Sequence, residues 1–288
     1  MRKVSLAAAL LVCLLVGGLA QAAAASDDLA GTAAIMDIGL GARPMGMGGA
    51  FVSIADDASC VYYNPAGLAL QSTRNVISFY SNQHGQAGYF GLAYAQKGIG
   101  AGVLILGSSG IQGTDEYAQP VETLSYEEKV LLASVARTYQ RLHIGATLKY
   151  YTQTLPDEHG SGVTCDVGAL YQAPQYTIGV VARNVFGQVS YSNGVRDPFD
   201  RSFAVGVSTT VIPNLTLAFD HETNGSTHVG GEYTLSMFAL RAGAVLREGQ
   251  NWLTAGLGVK SGVFRFDYAY QTHETLDDTH RLSVTVDF

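Results

Sequence analysis

Charge is scarce in this chain of 288 residues: Asp, Glu, Lys and Arg together make up 14%, against roughly 25% in ordinary soluble domains. The basic side is the poorer one, with 17 Lys and Arg against 24 Asp and Glu. A protein so short of cations cannot neutralise a phosphate backbone, so nucleic acid is excluded as a partner. Cysteine occurs three times, too few for a fold stapled by disulfides. After residue 25 no apolar run reaches 18 residues, which rules out a further helical membrane span. A phosphate loop needs Gly-Lys-Ser/Thr, and a metalloprotease site needs His-Glu-x-x-His; neither occurs. No catalytic residue, cofactor or metal ligand is therefore expected.

What is present begins with a leader. Arg2 and Lys3 precede an apolar run from Val4 to Ala20, broken in polarity only by Ser5, and then the small-residue tract from Gln21 to Ser26. This is the pattern of a secretory signal peptide, residues 1–25, cut after Ala25 or alternatively Ala23. The run is too short for a membrane span, and Val12 before Cys13 is too bulky for a lipid-attachment box. Removing Arg2 and Lys3 leaves 15 basic residues against 24 acidic, a net charge near −9. Export also permits disulfides at the remaining Cys60 and Cys165.

Glycine (34), tyrosine (16) and phenylalanine (11) are plentiful, and from Arg74 onward apolar residues fall at every second position. Leu282, Val284, Val286 and Phe288 share one face of the last segment, and Arg281, Ser283, Thr285 and Asp287 the other. Phe264, Phe266, Tyr268 and Tyr270 alternate in the same way with Arg265, Asp267 and Gln271; Ile144, Leu148 and Tyr150 alternate with His143, Thr147 and Lys149. Fourteen such segments are predicted, at 74–82, 86–97, 98–107, 127–138, 140–152, 162–172, 175–185, 201–211, 213–221, 226–234, 237–247, 250–260, 261–272 and 279–288. Their links alternate between tight turns, as at Lys97-Gly98 and Ile212-Pro213, and looser connections, notably 108–126 and 186–200. A soluble β-sandwich has no reason to alternate its loops, and its polar face would be denser in charge. An all-β, 14-stranded antiparallel transmembrane β-barrel at 74–288 does both, because closure satisfies every backbone group in hydrocarbon. Both termini would then lie on the periplasmic side of the cell outer membrane. Tyr80, Tyr150, Tyr171, Tyr176, Tyr191, Trp252 and Tyr270 suit its interfacial girdles. Phe288 is the barrel-terminal signature of a last strand that barrel-assembly machinery would read. Parity turns Cys165 toward lipid and leaves Cys60 ahead of the barrel, so two free thiols are expected.

Residues 26–73 do not alternate. They carry Gly41-Ala-Arg-Pro-Met-Gly46-Met-Gly48-Gly49-Ala-Phe51, then Ala55-Asp-Asp-Ala58 and Tyr62-Tyr-Asn64-Pro65-Ala66-Gly67-Leu68. Such glycine density reads as close backbone packing. These segments resemble the N-terminal signature of the PorV/PorQ family, within the wider FadL-like superfamily of outer-membrane proteins. The resemblance implies a small N-terminal plug inside the barrel, a hatch, with Gly46, Gly48, Gly49, Asn64, Pro65, Ala66 and Gly67 as its motif. It also implies one of two roles. FadL-type members resemble passive gates for hydrophobic solutes, whereas PorV-type members are associated with type IX secretion and shuttle exported cargo. Outer-membrane lipid, hydrophobic small molecules and secreted proteins are the partners implied. The short external connections bring the chain nearer to PorV/PorQ.

Three weaker readings complete the set. Asp220, His221, Glu222, His228 and Glu232 cluster around one hairpin and would be the candidates for a rim-sited enzyme, although their spacing matches no zinc site and luminal polarity explains them. Asp56-Asp57 could bind a cation, but more commonly such carboxylates satisfy a turn or helix start. Gly98, Gly100, Gly102 and Gly107 in the third segment could weaken strand pairing and open the wall sideways, or could admit tight packing against the hatch.

Overall fold

The computed structural model describes residues 33–115, 117, 119–273 and 275–288. The expected signal segment, 1–25, lies outside them. Sixteen strands join one antiparallel sheet: β1 Asn75–Gln83, β2 Ala87–Gln96, β3 Ile99–Thr114, β4 Pro120–Tyr139, β5 Leu142–Thr154, β6 His159–Gln172, β7 Thr177–Arg183, β8 Gln188–Tyr191, β9 Arg196–Pro198, β10 Ser202–Ile212, β11 Leu215–Glu222, β12 Thr227–Leu235, β13 Phe238–Arg247, β14 Gln250–Ser261, β15 Phe264–Gln271 and β16 Thr279–Asp287. Each neighbour pairs with the next, β7 pairs with β10, and β1 pairs with β16, so the sheet closes on itself as a 14-stranded barrel with β8 and β9 as an appendage. At the closing seam Arg74 and Phe288 exchange two backbone hydrogen bonds of 2.9 Å.

All fourteen expected segments became barrel strands, and period-2 parity assigns the faces correctly in the segments around residues 144, 266 and 282. Ile144, Leu148, Leu282 and Phe266 are half exposed on the outside, while Thr147, Lys149, Arg281 and Asp267 are buried inside. Exposed apolar side chains recur on strand after strand, an outer surface that suits hydrocarbon rather than water. Most tight turns lie at one end, where Gly98, Gln140, Asn214, Ser236 and Gly262 take up the positive φ that two-residue hairpins demand, with Glu248-Gly249 a further two-residue turn at the other.

Two expected loops are structured. The 108–126 connection is a continuation of β3 and β4, paired from Ser108↔Tyr126 to Thr114↔Pro120 with two register shifts, so this hairpin runs beyond its neighbours. Sequence parity missed it because glycine and polar residues occupy both faces there. The 186–200 connection folds back as β8 and β9, with Val189 and Tyr191 paired to the outer part of β6. Val189 and Phe199 are buried in the core, and Phe199 meets Tyr151 edge to face at 5.9 Å. Tyr191 therefore packs against the core, not in an interfacial girdle. Tyr80, Tyr150, Tyr171 and Tyr176 do face outward. Cys60 is buried, Cys165 points outward, and the two are unbonded.

Candidate functional site: the luminal N-terminal segment

Residues 33–71 are short turns rather than regular structure. A 3-10 turn at Ala34–Asp37 leads to the one-and-a-half-turn helix α1 (Ala42–Gly46), then to α2 (Cys60–Tyr63), and a second 3-10 turn at Pro65–Leu70 precedes β1. Nearly every side chain in the segment is buried. Isolated turns this short have no stability of their own, so the barrel wall must hold them.

The wall does so strand by strand. Ile35 N–H donates to the Glu128 carboxylate of β4 at 2.9 Å, Ala42 N–H to Ser283 of β16 at 3.2 Å, Val52 N–H to Asp220 of β11 at 2.8 Å, and Ala58 N–H to Asn75 of β1 at 2.8 Å. Thr147 of β5 donates to the Val61 carbonyl at 3.0 Å, and Thr254 of β14 to the Gly46 carbonyl at 3.1 Å. His228 of β12 contacts the Gly48 carbonyl through Nδ1 at 2.7 Å. These partners satisfy backbone groups that the irregular segment cannot pair internally, as burial requires.

The two parts of the glycine and Asn-Pro motif lie against different stretches of wall. Gly46 abuts Gly256 of β14, Gly48 packs its backbone on Ala244 of β13, and Gly49 lies against His228. Asn64 meets the other side: its side-chain amide donates to the Val52 carbonyl at 2.9 Å and reaches the carbonyls of Ala169 in β6 and Val180 in β7, while its oxygen accepts Ala66 N–H at 3.1 Å. A side chain on Gly145 of β5 would meet the Pro65 carbonyl carbon at 2.5 Å, and one on Gly168, Gly179, Gly230 or Gly243 would overlap the segment's backbone or Asn64. Glycine in these strands marks close backbone approach. In β3, Gly100 packs on Val61 and Leu68, so the tight-packing reading of its glycines holds there, and β3 is paired to both neighbours from Ile99 to Gly107.

An ionic ring joins the segment to β12, β13 and β15. Arg43 makes a two-pronged contact with Glu232, at 2.9 Å and 2.8 Å. Glu232 accepts from Arg241 at 2.6 Å, Arg241 donates to Asp267 at 2.8 Å, and Asp267 accepts from Arg265 at 2.9 Å. Arg265 reaches Asp57 at 2.7 Å, and Asp57 returns to Arg43 at 3.2 Å. Three guanidiniums thus alternate with three carboxylates around a closed circuit, and Asp56 adds a contact to Arg43 at 2.5 Å. The Arg43 guanidinium also stands 5.2 Å from the Phe51 ring, a cation–π contact. Burial alone would push the Asp57 carboxyl up, but Arg265, Arg43 and the Ser59 hydrogen bonds outweigh it and hold Asp57 down at about 2. Asp37 shows the opposite balance. It keeps surface open to the lumen yet is walled in by protein, so burial and the Glu222 carboxylate push it up to about 6 against the pull of Arg183 and Lys149.

The Asp56-Asp57 pair is accordingly occupied by Arg43 and Arg265. The hairpin cluster is only partly kept together: Asp220 receives Val52 N–H and stands opposite His228, His228 lies 3.8 Å from Glu222, and Glu222 pairs with Arg183 at 2.7 Å, whereas His221 contacts Thr227 and Glu232 belongs to the ring. Among the described residues no group of three or more His, Cys, Asp or Glu could hold a metal. Sequence reasoning missed the ring itself. Arg265 and Asp267 were legible as inward-facing, and Arg43 as part of the motif, but strand parity carries no information on which charges meet across the lumen.

No family model matches the chain, and no curated protein sequence matches it. Solved structures do. The toluene transporter TodX of P. putida superposes with a TM-score of 0.62 at 14% identity, over 87% of this chain and 99% of that one. The deltaS2S3 mutant of the TodX monoaromatic hydrocarbon channel gives 0.58 at 14% identity, over 86% and 98%. At that identity the likeness is one of fold: a 14-stranded barrel accounting for almost the whole of each chain.

Proposed function

We propose that this protein is an outer-membrane barrel in which residues 33–71, within the 26–73 region, form a luminal hatch that controls passage of a hydrophobic or amphipathic solute. The observation that carries this reading is the seating of the segment. It bonds to strands around the whole circumference, yet it is built of short turns that can leave as a unit. The 14-stranded fold it shares with the TodX hydrocarbon transporter supports the same reading, as does the apolar outer surface. With the tight turns on the periplasmic side, as in bacterial barrels generally, the β8–β9 fold-back and the extended β3–β4 hairpin lie at the external mouth.

A second reading is favoured by two features: the PorV/PorQ-like signature at 39–70 and the β3–β4 hairpin standing beyond its neighbours. In it the protein docks exported cargo, as a type IX secretion component would, and passes no solute. One pair of experiments separates them. Proteoliposomes carrying the wild type and a variant lacking residues 31–70 are assayed for toluene entry and for swelling in small sugars, and the wild type is affinity-purified from native membranes in mild detergent. The transport reading expects toluene entry with wild type and raised, unselective swelling with the deletion. Cargo co-purifying with an impermeable barrel favours docking. A deletion that alters neither permeability nor partner binding removes the hatch role altogether.

A further inference from the structure

Four cations are buried among the described residues: Arg43, Lys149, Arg241 and Arg281. The first three have carboxylate partners, Lys149 through Asp166 at 2.8 Å and the two arginines within the ring. Arg281 has none. It lies on the luminal face of β16 at 4% exposure, with Nε and Nη1 both lacking an acceptor. The acid nearest in register is of no help, because both oxygens of Asp267 are taken by Arg241 and Arg265.

A second orphan stands beside it. Arg281 is opposite Ser81 of β1, and Ser81 is opposite Tyr89 of β2. Tyr89 is fully buried, held edge to face by Phe79 at 5.6 Å, and its hydroxyl has no partner. The ring of Tyr63, from the hatch, lies in the same electrostatic neighbourhood of Arg281, with its hydroxyl directed to Met45 at 3.2 Å. The cluster therefore offers several N–H and O–H donors and one permanent positive charge, and no carboxylate or other acceptor is bonded to Arg281 Nε or Nη1. An arginine keeps its charge in a protein, and a buried charge without a partner is among the costliest features a fold can hold.

We propose that Arg281 and Tyr89 form a binding site for a small monovalent anion, of halide or formate size, at the seam between the wall and the hatch. An uncompensated guanidinium beside hydroxyl groups that can turn their protons toward a ligand selects an anion, a single guanidinium balances a single charge, and the near-complete burial of both side chains restricts the occupant to one or a few heavy atoms. Because Tyr63 of the proposed hatch interacts electrostatically with both Arg281 and Tyr89, the occupied site would bind the hatch more firmly to β16 and β2, making its seating depend on the identity of the salt and not only on ionic strength.

The test uses the full-length mature protein folded in detergent, with sodium bromide as probe and sodium gluconate, too large for the site, holding ionic strength constant. The wild type is expected to gain thermal stability saturably with bromide. Tyr89→Phe should weaken the bromide midpoint about tenfold, the loss of one hydrogen bond to a charge, and Arg281→Gln should abolish the response. Crystals soaked in bromide should give an anomalous peak within hydrogen-bonding distance of Arg281, which decides the question on the wild type even if Arg281→Gln does not fold. A water in place of bromide, or a bromide response equal in wild type and Arg281→Gln, would overturn the proposal.

Discussion

The lumen has two unlike sides. On β1–β4 the inward residues include Ile77, Phe79, Tyr89, Leu104, Leu106, Val130 and Leu132, packed with Leu40, Val61 and Leu68 of the proposed hatch in one apolar cluster, with Glu128 and Asn75 as the buried polar anchors among them. On β12–β15 they are Glu232, Arg241, Arg265 and Asp267, joined to Arg43 and Asp57. The apolar side holds the hatch by a force that is indifferent to small displacements and roughly proportional to area. The ionic side holds it by geometry, since a buried ion pair repays its desolvation only when every partner is in place. The first gives the hatch its affinity for the wall; the second gives it one register. On the proposed hatch reading, residues 33–71 would be unlocked on one side without being expelled from the other.

Breaking the ionic side should have the larger effect. Arg43→Met leaves Glu232 and Asp57 short of a partner and should cost about 3–5 kcal/mol, read as a fall in the unfolding midpoint of the hatch and as protease cleavage within residues 42–57 while the barrel stays intact. Acid should act on the same side. The depressed Asp57 contributes stability that is complete above the ordinary carboxylate value near ~4 and is lost as pH falls through about 2, so wild-type protection of 42–57 should fall in that window. On the apolar side, Leu68→Ala should cost about 3 kcal/mol, the usual loss for a fully buried leucine, without opening 42–57 to protease. A smaller loss, about 2 kcal/mol, is expected for Asn64→Ala, which strands several buried backbone groups at the junction with β6 and β7. Least in size is the effect of Asp37. Its raised value means its ionisation opposes the fold: the penalty sets in above the ordinary carboxylate value near ~4 and is complete once pH has risen past about 6. The hatch should therefore be seated more firmly at pH 5 than at pH 7.5, and Asp37→Asn should remove the difference, as followed by protease resistance.

Much of this was legible in the residues. Leu282 and Phe266 against Arg281 and Asp267 declare their faces because a strand has a period of two and one side is hydrocarbon. The Gly46-Met-Gly48-Gly49 segment declared close packing, which the backbone contact of Gly48 with Ala244 bears out. Other features were not legible, for identifiable reasons. Ser108 to Thr114 continue β3 in water, where no face need be apolar, so alternation vanishes. Phe199 enters the core from a segment rich in turn residues, a tertiary event with no local period. The partners of Arg43 lie 189 and 14 positions away, and only closure of the barrel brings Glu232 to Asp57 through it. The wall glycines looked scattered in sequence because the level at which they meet the hatch crosses each strand at a different number.

The central claim, that the hatch is fixed by a charged side and an apolar side acting separately, is tested most directly by amide hydrogen exchange across residues 33–71 in wild type and Arg43→Met, in mild detergent at neutral pH. The account predicts slow exchange throughout the wild type. In the variant, exchange should accelerate at 42–57, which face the ring, while 60–70, which face β3–β5, keep their protection. Equal acceleration across both stretches, or none in either, would contradict it.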